Sequence, residues 1–226
     1  MKIRFVLTGE GASDLNLVDH IETLLVNAGF SEVSGTPFDP SRLPFHVGHS
    51  VKEKLLAVRD LYPSADVIFV HRDADSKGLK ARRQEIQDAC VGIFDPEAVI
   101  PVVPVKMLET WLLVDMTAIS RVAGKASYGE IGCVPAIKAL ENVVDSKRLL
   151  LDALCECSEL QGIKLKKFKN LFGKMRARLV SAIDAEGPIC QLPSYAQFKA
   201  DVNSLYRKRS LKEWVVVTPR RHTTRR

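Results

Sequence analysis

Four carboxylates lie just beyond segments that have the composition of strand ends. Glu10 sits in Thr8-Gly9-Glu10-Gly11-Ala12-Ser13-Asp14, after the apolar run 3–7. Asp73 and Asp75 sit in His71-Arg72-Asp73-Ala74-Asp75-Ser76-Lys77-Gly78, after the run 66–71. Glu109 sits in Lys106-Met107-Leu108-Glu109-Thr110-Trp111, after the run 99–105. In extended chain, residues two apart point the same way, so Asp73 and Asp75 are expected to face one ion. Two unit charges ~4 Å apart repel by about 4 kcal/mol at an effective dielectric of ~20, so such a cluster takes up protons or a cation. With oxygen ligands only, Mg²⁺ or Mn²⁺ is the expected ion. Its chemistry would be activation of water and stabilisation of the oxygens of a phosphodiester displacement. Lys77 or Lys106 is then expected to steady the phosphate.

Neighbouring residues have plainer readings. Asp14 reads as a helix cap or first-turn acid, His71 as a strand residue, and His46 and His49 as loop residues rather than ligands. The segment 9–14 has the outline of a dinucleotide loop, but it ends in Asp where that loop has Gly. Glu10 would also put negative charge where a pyrophosphate must approach, so that reading is excluded.

The elements that must position these groups alternate between strand and helix. Residues 3–7 read as a buried strand. Leu17, Ile21, Leu24 and Leu25 then recur at helical spacing until Gly29. Residues 31–49, with Pro37, Pro40, Pro44, Gly35 and Gly48, read as loop. A helix is expected over 51–62 with Leu55, Val58 and Leu61 inward, a strand over 66–71 and a charged helix over 79–91. A third strand is expected over 99–105, where Pro101 and Pro104 argue against a fully paired central position, and a short helix over 107–114. This alternation predicts an α/β fold, a mostly parallel sheet flanked by helices, over 1–115. In such a sheet the strands' C-terminal ends share one edge, where ligands bind, so the four carboxylates can converge there.

Residues 116–206 show no strand pattern and read as a C-terminal helical extension packed on the sheet domain. Within 163–180, Phe168, Leu171, Phe172, Met175 and Leu179 form one apolar stripe. Lys164, Lys166, Lys167, Lys169, Lys174, Arg176 and Arg178 cover the rest and are the expected nucleic-acid contacts. A last helix is expected over 192–206. The segment 207–226, with eight basic residues and one acid, reads as a flexible tail in which 214–217 form a small strand.

Charge supports a polyanionic partner. The chain of 226 residues carries formal net charge +6, made up of −3 over residues 1–150 and +9 over 151–226. An acidic half with carboxylate motifs and a basic half suit a metal-using enzyme acting on nucleic acid. A hydrophobic fraction of 46% and a charged fraction of 27% exclude collagen-like, disordered and disulfide-scaffold classes. No run approaches the ~20 apolar residues of a membrane helix, and the N-terminal run is too short for a signal peptide. Five cysteines without a C-x-x-C pair suggest reduced thiols in the cytoplasm and no zinc site.

At Glu10-Gly11-Ala12-Ser13-Asp14 and Asp73-Ala74-Asp75 the sequence resembles the Toprim superfamily, the metal-binding fold shared by topoisomerases, bacterial primases and the overcoming-lysogenization-defect nucleases. The segment 105–115 is similar to small stand-alone prokaryotic Toprim-like proteins without an assigned function. The resemblance implies a Rossmann-like Toprim fold over roughly residues 3–115. It also implies a metal-binding or acid–base Glu10, metal-binding Asp73 and Asp75, and Glu109 as the nuclease branch's extra ligand. No topoisomerase tyrosine or primase zinc module is evident, so nucleic-acid hydrolysis is the implied activity. An ATPase partner in a defence system is a further implication. A non-catalytic module that binds nucleic acid or such an ATPase is the alternative. A sugar-nucleotide transferase using Asp-x-Asp is a third.

Overall fold

A computed structural model describes the backbone of residues 1–217 and the side chains of residues 1–212. Four strands, β1 (Lys2–Thr8), β2 (Glu32–Phe38), β3 (Val67–His71) and β4 (Val99–Val102), form an all-parallel sheet in the order β2-β1-β3-β4. Between them run α1 (Val18–Ala28), α2 (Val51–Leu61) and α3 (Leu79–Cys90). Beyond β4 come α4 (Glu109–Leu112), α5 (Met116–Val122), α6 (Ile137–Leu140), α7 (Ser146–Ser158), α8 (Gly162–Lys169), α9 (Phe172–Ser181) and α10 (Pro193–Val217). The α/β, Rossmann-like class expected from the sequence is the observed one. Among the described residues no helix is long and apolar enough to cross a membrane.

The period of two along each strand splits the core into two layers. Ile3, Phe5 and Leu7 of β1, Val67 and Phe69 of β3, and Ile100 and Val102 of β4 join one hydrophobic cluster with α1, α4, α5, α7, α9 and α10. Val6, Ile68, Val70 and Val99 point the other way, onto Val51, Leu55 and Val58 of α2 and Ile86 and Cys90 of α3. The parallel register Phe5↔Val67 and Ile68↔Val99 keeps each layer continuous across strands. The C-terminal helices therefore share a core with one face of the sheet. Trp111 of α4 is central to that core. It stacks on Phe198, meets Tyr195 edge-on, and its indole N–H donates to Ser194 Oγ at 2.9 Å.

The largest departure from expectation is β2, which falls within the region read as loop. Proline at position 37 is tolerated because β2 is an edge strand, with a partner on one side only. Gly35 is needed there: a Cβ would lie 2.4 Å from Phe5 Cζ and 2.7 Å from Val18 Cγ1. Its N–H finds an acceptor in Glu22 Oε1 of α1 at 2.7 Å rather than in a further strand. Gly29 ends α1 with φ +118, as the stop signal predicts.

The C-terminal region departs in two places. The stripe over 163–180 is divided between α8 and α9, because Asn170 and Gly173 are weak helix formers and the chain turns at Leu171. Leu171 is exposed instead of inward. Residues 214–217 continue α10 rather than forming a strand, since extending a packed helix needs no new nucleus. Residues 207–217 likewise belong to α10, and 218–226 of the expected tail lie outside the described residues.

Candidate functional site

The chain leaves β1 for β2 on one side of the sheet and later enters β3 on the other, so the strand order reverses between β1 and β3. The loops beyond the C-terminal ends of two such strands diverge and leave a crevice. Glu10 and Asp14 follow β1, and His71, Arg72 and Asp73 end and follow β3. Backbone bonds extend the β3–β4 contact past the strands: Arg72 N–H donates to Val102 O, Ala74 N–H to Pro104 O and Asp75 N–H to Lys106 O. These bonds order the Asp73 loop against the segment leading into α4.

Strand alternation sends neighbouring side chains into two charged groups. His71 continues the Val67–Phe69 face, toward the 3-10 turn Ala12–Leu17 and α9. Arg72 takes the other face, toward α3. On the first side, Asp14 Oδ2 accepts from Gly11 N–H at 3.0 Å and lies 3.4 Å from His71 Nδ1. Asp73 Oδ1 accepts from Leu108 N–H at 3.0 Å and lies 3.5 Å from His71 Nε2. Arg176 of α9 closes the group, with Nη2 2.9 Å from Asp14 Oδ1 and Nε 2.7 Å from Glu109 Oε1. His71, Asp14, Glu109 and Arg176 are buried, whereas the Asp73 side chain keeps 22% exposure. His71 has no well-formed hydrogen bond at either ring nitrogen, and Arg176 Nη1 has none, among the described residues.

Burial and charge set the protonation of this group. Burial raises the Asp73 carboxyl, and the charges of Glu10, Asp14 and Glu109 raise it further against the pull of His71, to about 7. Burial opposes charge on His71, yet Asp14, Asp73 and Glu10 together hold its pKa above the ordinary imidazole value. Burial would also raise Asp14. His71, the Gly11 amide and Arg176 outweigh it and hold that carboxyl below the usual range.

On the second side, Arg72 Nε lies 2.9 Å from Glu10 Oε1, and its Nη2 reaches Glu85 of α3 at 3.3 Å. Asp75 belongs here rather than beside Asp73. Its φ of +45 breaks the extended geometry the Asp-x-Asp spacing assumes, and Oδ2 pairs with Arg82 Nη2 at 3.0 Å. Lys77 pairs with Glu85 at 3.6 Å, and Lys106 holds a left-handed turn with φ +64. Lys54 of α2 is buried and donates to Gly9 O at 2.7 Å, behind Glu10.

The structure thus draws Asp73 and Glu109 together with Asp14, His71 and Arg176, keeps Glu10 close enough to influence Asp73, and turns Asp75 and Lys77 away. Arg176, expected as a surface contact to nucleic acid, is instead buried in this group. Lys164, Lys166, Lys167, Lys169, Lys174 and Arg178 stand on α8 and α9, outside the site. Asp14, His71, Arg72, Arg176 and Lys54 are the members the sequence reading missed. For two of them a signal existed. Lys54 falls at the buried spacing of Val51, Leu55 and Val58, and Arg176 at that of Phe172, Met175 and Leu179. A charge inside an apolar stripe marks a group with a buried partner.

Two carboxylates, Glu10 at 34% exposure and paired with Arg72, and Asp73, remain open to solvent, while Asp14 and Glu109 are buried and share the single charge of Arg176. Among the described residues no three His, Cys, Asp or Glu side chains are arranged as a ready cage for an ion. Mg²⁺ needs no such cage: it keeps several waters and takes one or two carboxylates. Two solvent-open carboxylates are chemically compatible with such a hydrated hard cation. The chain matches no family model, no curated protein and no solved structure.

Proposed function

We propose that this chain is a Toprim-like, Mg²⁺- or Mn²⁺-dependent phosphodiesterase that cuts nucleic acid. The observation that carries the reading is the convergence of Glu10, Asp14, Asp73 and Glu109, from three chain segments, on the crevice where the strand order reverses. Glu10 and Asp73 hold the cation. When bound, it supplies Lewis acidity toward a phosphodiester and the attacking water. Glu10 also serves as the base that takes the water's proton. His71 and Arg176 fix the orientation of Asp14, Asp73 and Glu109. Of the two lysines expected to steady the phosphate, Lys106 is the one without a carboxylate partner among the described residues, since Lys77 is engaged by Glu85. The lysines of α8 and α9 hold the backbone of the strand in a cytoplasmic setting, consistent with five free cysteines.

A second reading has its own observation. Arg72 and Arg176 already pair with Glu10, Asp14 and Glu109, which suits a module that binds nucleic acid or an ATPase partner without turnover. Labelled supercoiled DNA, single-stranded DNA and tRNA, each with Mg²⁺, Mn²⁺ or EDTA, separate the two. The phosphodiesterase cuts at least one of them with metal, and Asp73→Ala abolishes the cutting. Salt-sensitive binding without cleavage in any metal overturns the enzyme in favour of the module.

A further inference from the structure

A cavity of about 460 Å³ opens beside Glu10, between the β1 turn and the loop that joins β2 to α2. Its size lies within the roughly 300–1,000 Å³ of small-molecule sites. Its lining combines two chemistries. From the β1 turn comes Glu10, with the buried Lys54 of α2, whose ammonium spends one hydrogen bond on Gly9 O among the described residues. The β2–α2 loop makes the aromatic end: Phe38 is buried at the end of β2, while Phe45, His46 and His49 are exposed around the cavity. Phe45 leaves 51% of its surface to solvent. The loop is held in place by Ser50, whose hydroxyl accepts from Glu53 N–H while Glu53 accepts in return, and by Asp39, which accepts from Ser41.

We infer that this cavity is a nucleoside subsite, and that the proposed phosphodiesterase therefore acts on unpaired strands or frayed ends. The inference rests on the proposed function for the position of the phosphate, at Glu10. From there the adjoining sugar and base reach the aromatic end, where Phe45 offers a face for stacking and the imidazoles offer donors and acceptors. Stacking tolerates any base, because every base has a π-face. A base inside continuous duplex reaches such a pocket only by leaving its stack, which costs a few kcal/mol. The cavity thus selects unpaired substrate without reading sequence.

The test compares adenosine 5′-monophosphate with ribose 5-phosphate, each titrated calorimetrically into the full chain with Mg²⁺. The two probes differ only in the base. Adenosine monophosphate is expected to bind about tenfold more tightly, and Phe45→Ala to remove most of that advantage, the measure of one stacked base. Phe45 is exposed, so its loss leaves the core intact, and Phe45→Tyr is expected to restore binding. Equal affinity of the two probes, no binding of either, or an unchanged Phe45→Ala protein overturns the subsite. Failure of the parent reading looks different: the base-dependent binding persists while no nucleic acid is cut. If instead Asp73-dependent cutting is found but single-stranded and duplex DNA are cut alike and Phe45→Ala changes neither, the enzyme stands and the subsite falls.

Discussion

Asp73, His71 and Asp14 make the stability of this protein depend on pH in a defined way. Asp73 keeps its proton in the folded state up to about 7, against 3.8 for the ordinary carboxyl, so the unfolded chain releases that proton first. Stability therefore falls as pH rises through the window between those values. The raised His71 acts in the same direction: its contribution is full below the ordinary 6.5 and is lost as pH rises through its folded value. Asp14, held low, contributes above 3.8, and that contribution is lost as pH falls through its folded value. Thermal unfolding is expected to show greatest stability at about pH 4 and a decline toward about pH 8. Asp73→Asn should raise stability at about pH 8 by on the order of 4 kcal/mol and leave it unchanged at about pH 4. An equal effect at both values would show that Asp73 is ionised throughout. Arg176→Ala leaves Asp14 and Glu109 buried without their cation and is expected to cost about 3–5 kcal/mol in urea unfolding, with Arg176→Lys recovering only part. Of the acids in this site, Glu10, Asp73 and Glu109 were legible from residue type and position after strands, whereas Asp14 has the signature of a helix cap. Their cationic partners were not, because a run as basic as 163–180 conceals the one guanidinium that faces inward.

At the scale of elements, the C-terminal edge of the sheet works because three loops are held by backbone bonds as well as side chains. The strand segments with continuous apolar runs, β1 and β3, were legible, because a central parallel strand is buried on both faces. β2 was not. An edge strand is paired on one side only, and its burial alternates irregularly, so proline and glycine enter it and erase the pattern. Its placement depends instead on one close approach, Gly35 over Phe5 and Val18. Gly35→Ala is expected to destabilise the protein by about 1–3 kcal/mol, measured as a shift in urea midpoint without a change in slope. An unchanged midpoint would mean that β2 moves outward at no cost. Because the cavity loop springs from Phe38 at the end of β2, the same substitution should also weaken adenosine monophosphate binding.

For the molecule as a whole, the separation of charge is the property most easily measured. The four carboxylates lie in the half of net charge −3, and the exposed lysines of α8 and α9 in the half of net charge +9. Binding to single-stranded DNA is expected to weaken linearly on a log–log plot against salt, and Lys166→Ala with Lys167→Ala to reduce the slope by about 0.7 for each phosphate that is no longer neutralised. A slope unaffected by both would remove these helices from the interface. The division into a sheet region and a helical region was legible from the switch in periodicity. That α10 packs back on α1 and β4 was not, since nothing local in 193–212 says which face of the sheet it meets. This late return has a consequence for synthesis. Asp14 leaves the ribosome 162 residues ahead of the arginine that neutralises it, and the core around Trp111 lacks Tyr195 and Phe198 until α10 follows. A nascent chain halted before α9 holds every proposed ligand but lacks the guanidinium that pairs with Asp14 and Glu109, so the group is completed only when translation of the helical region is nearly finished.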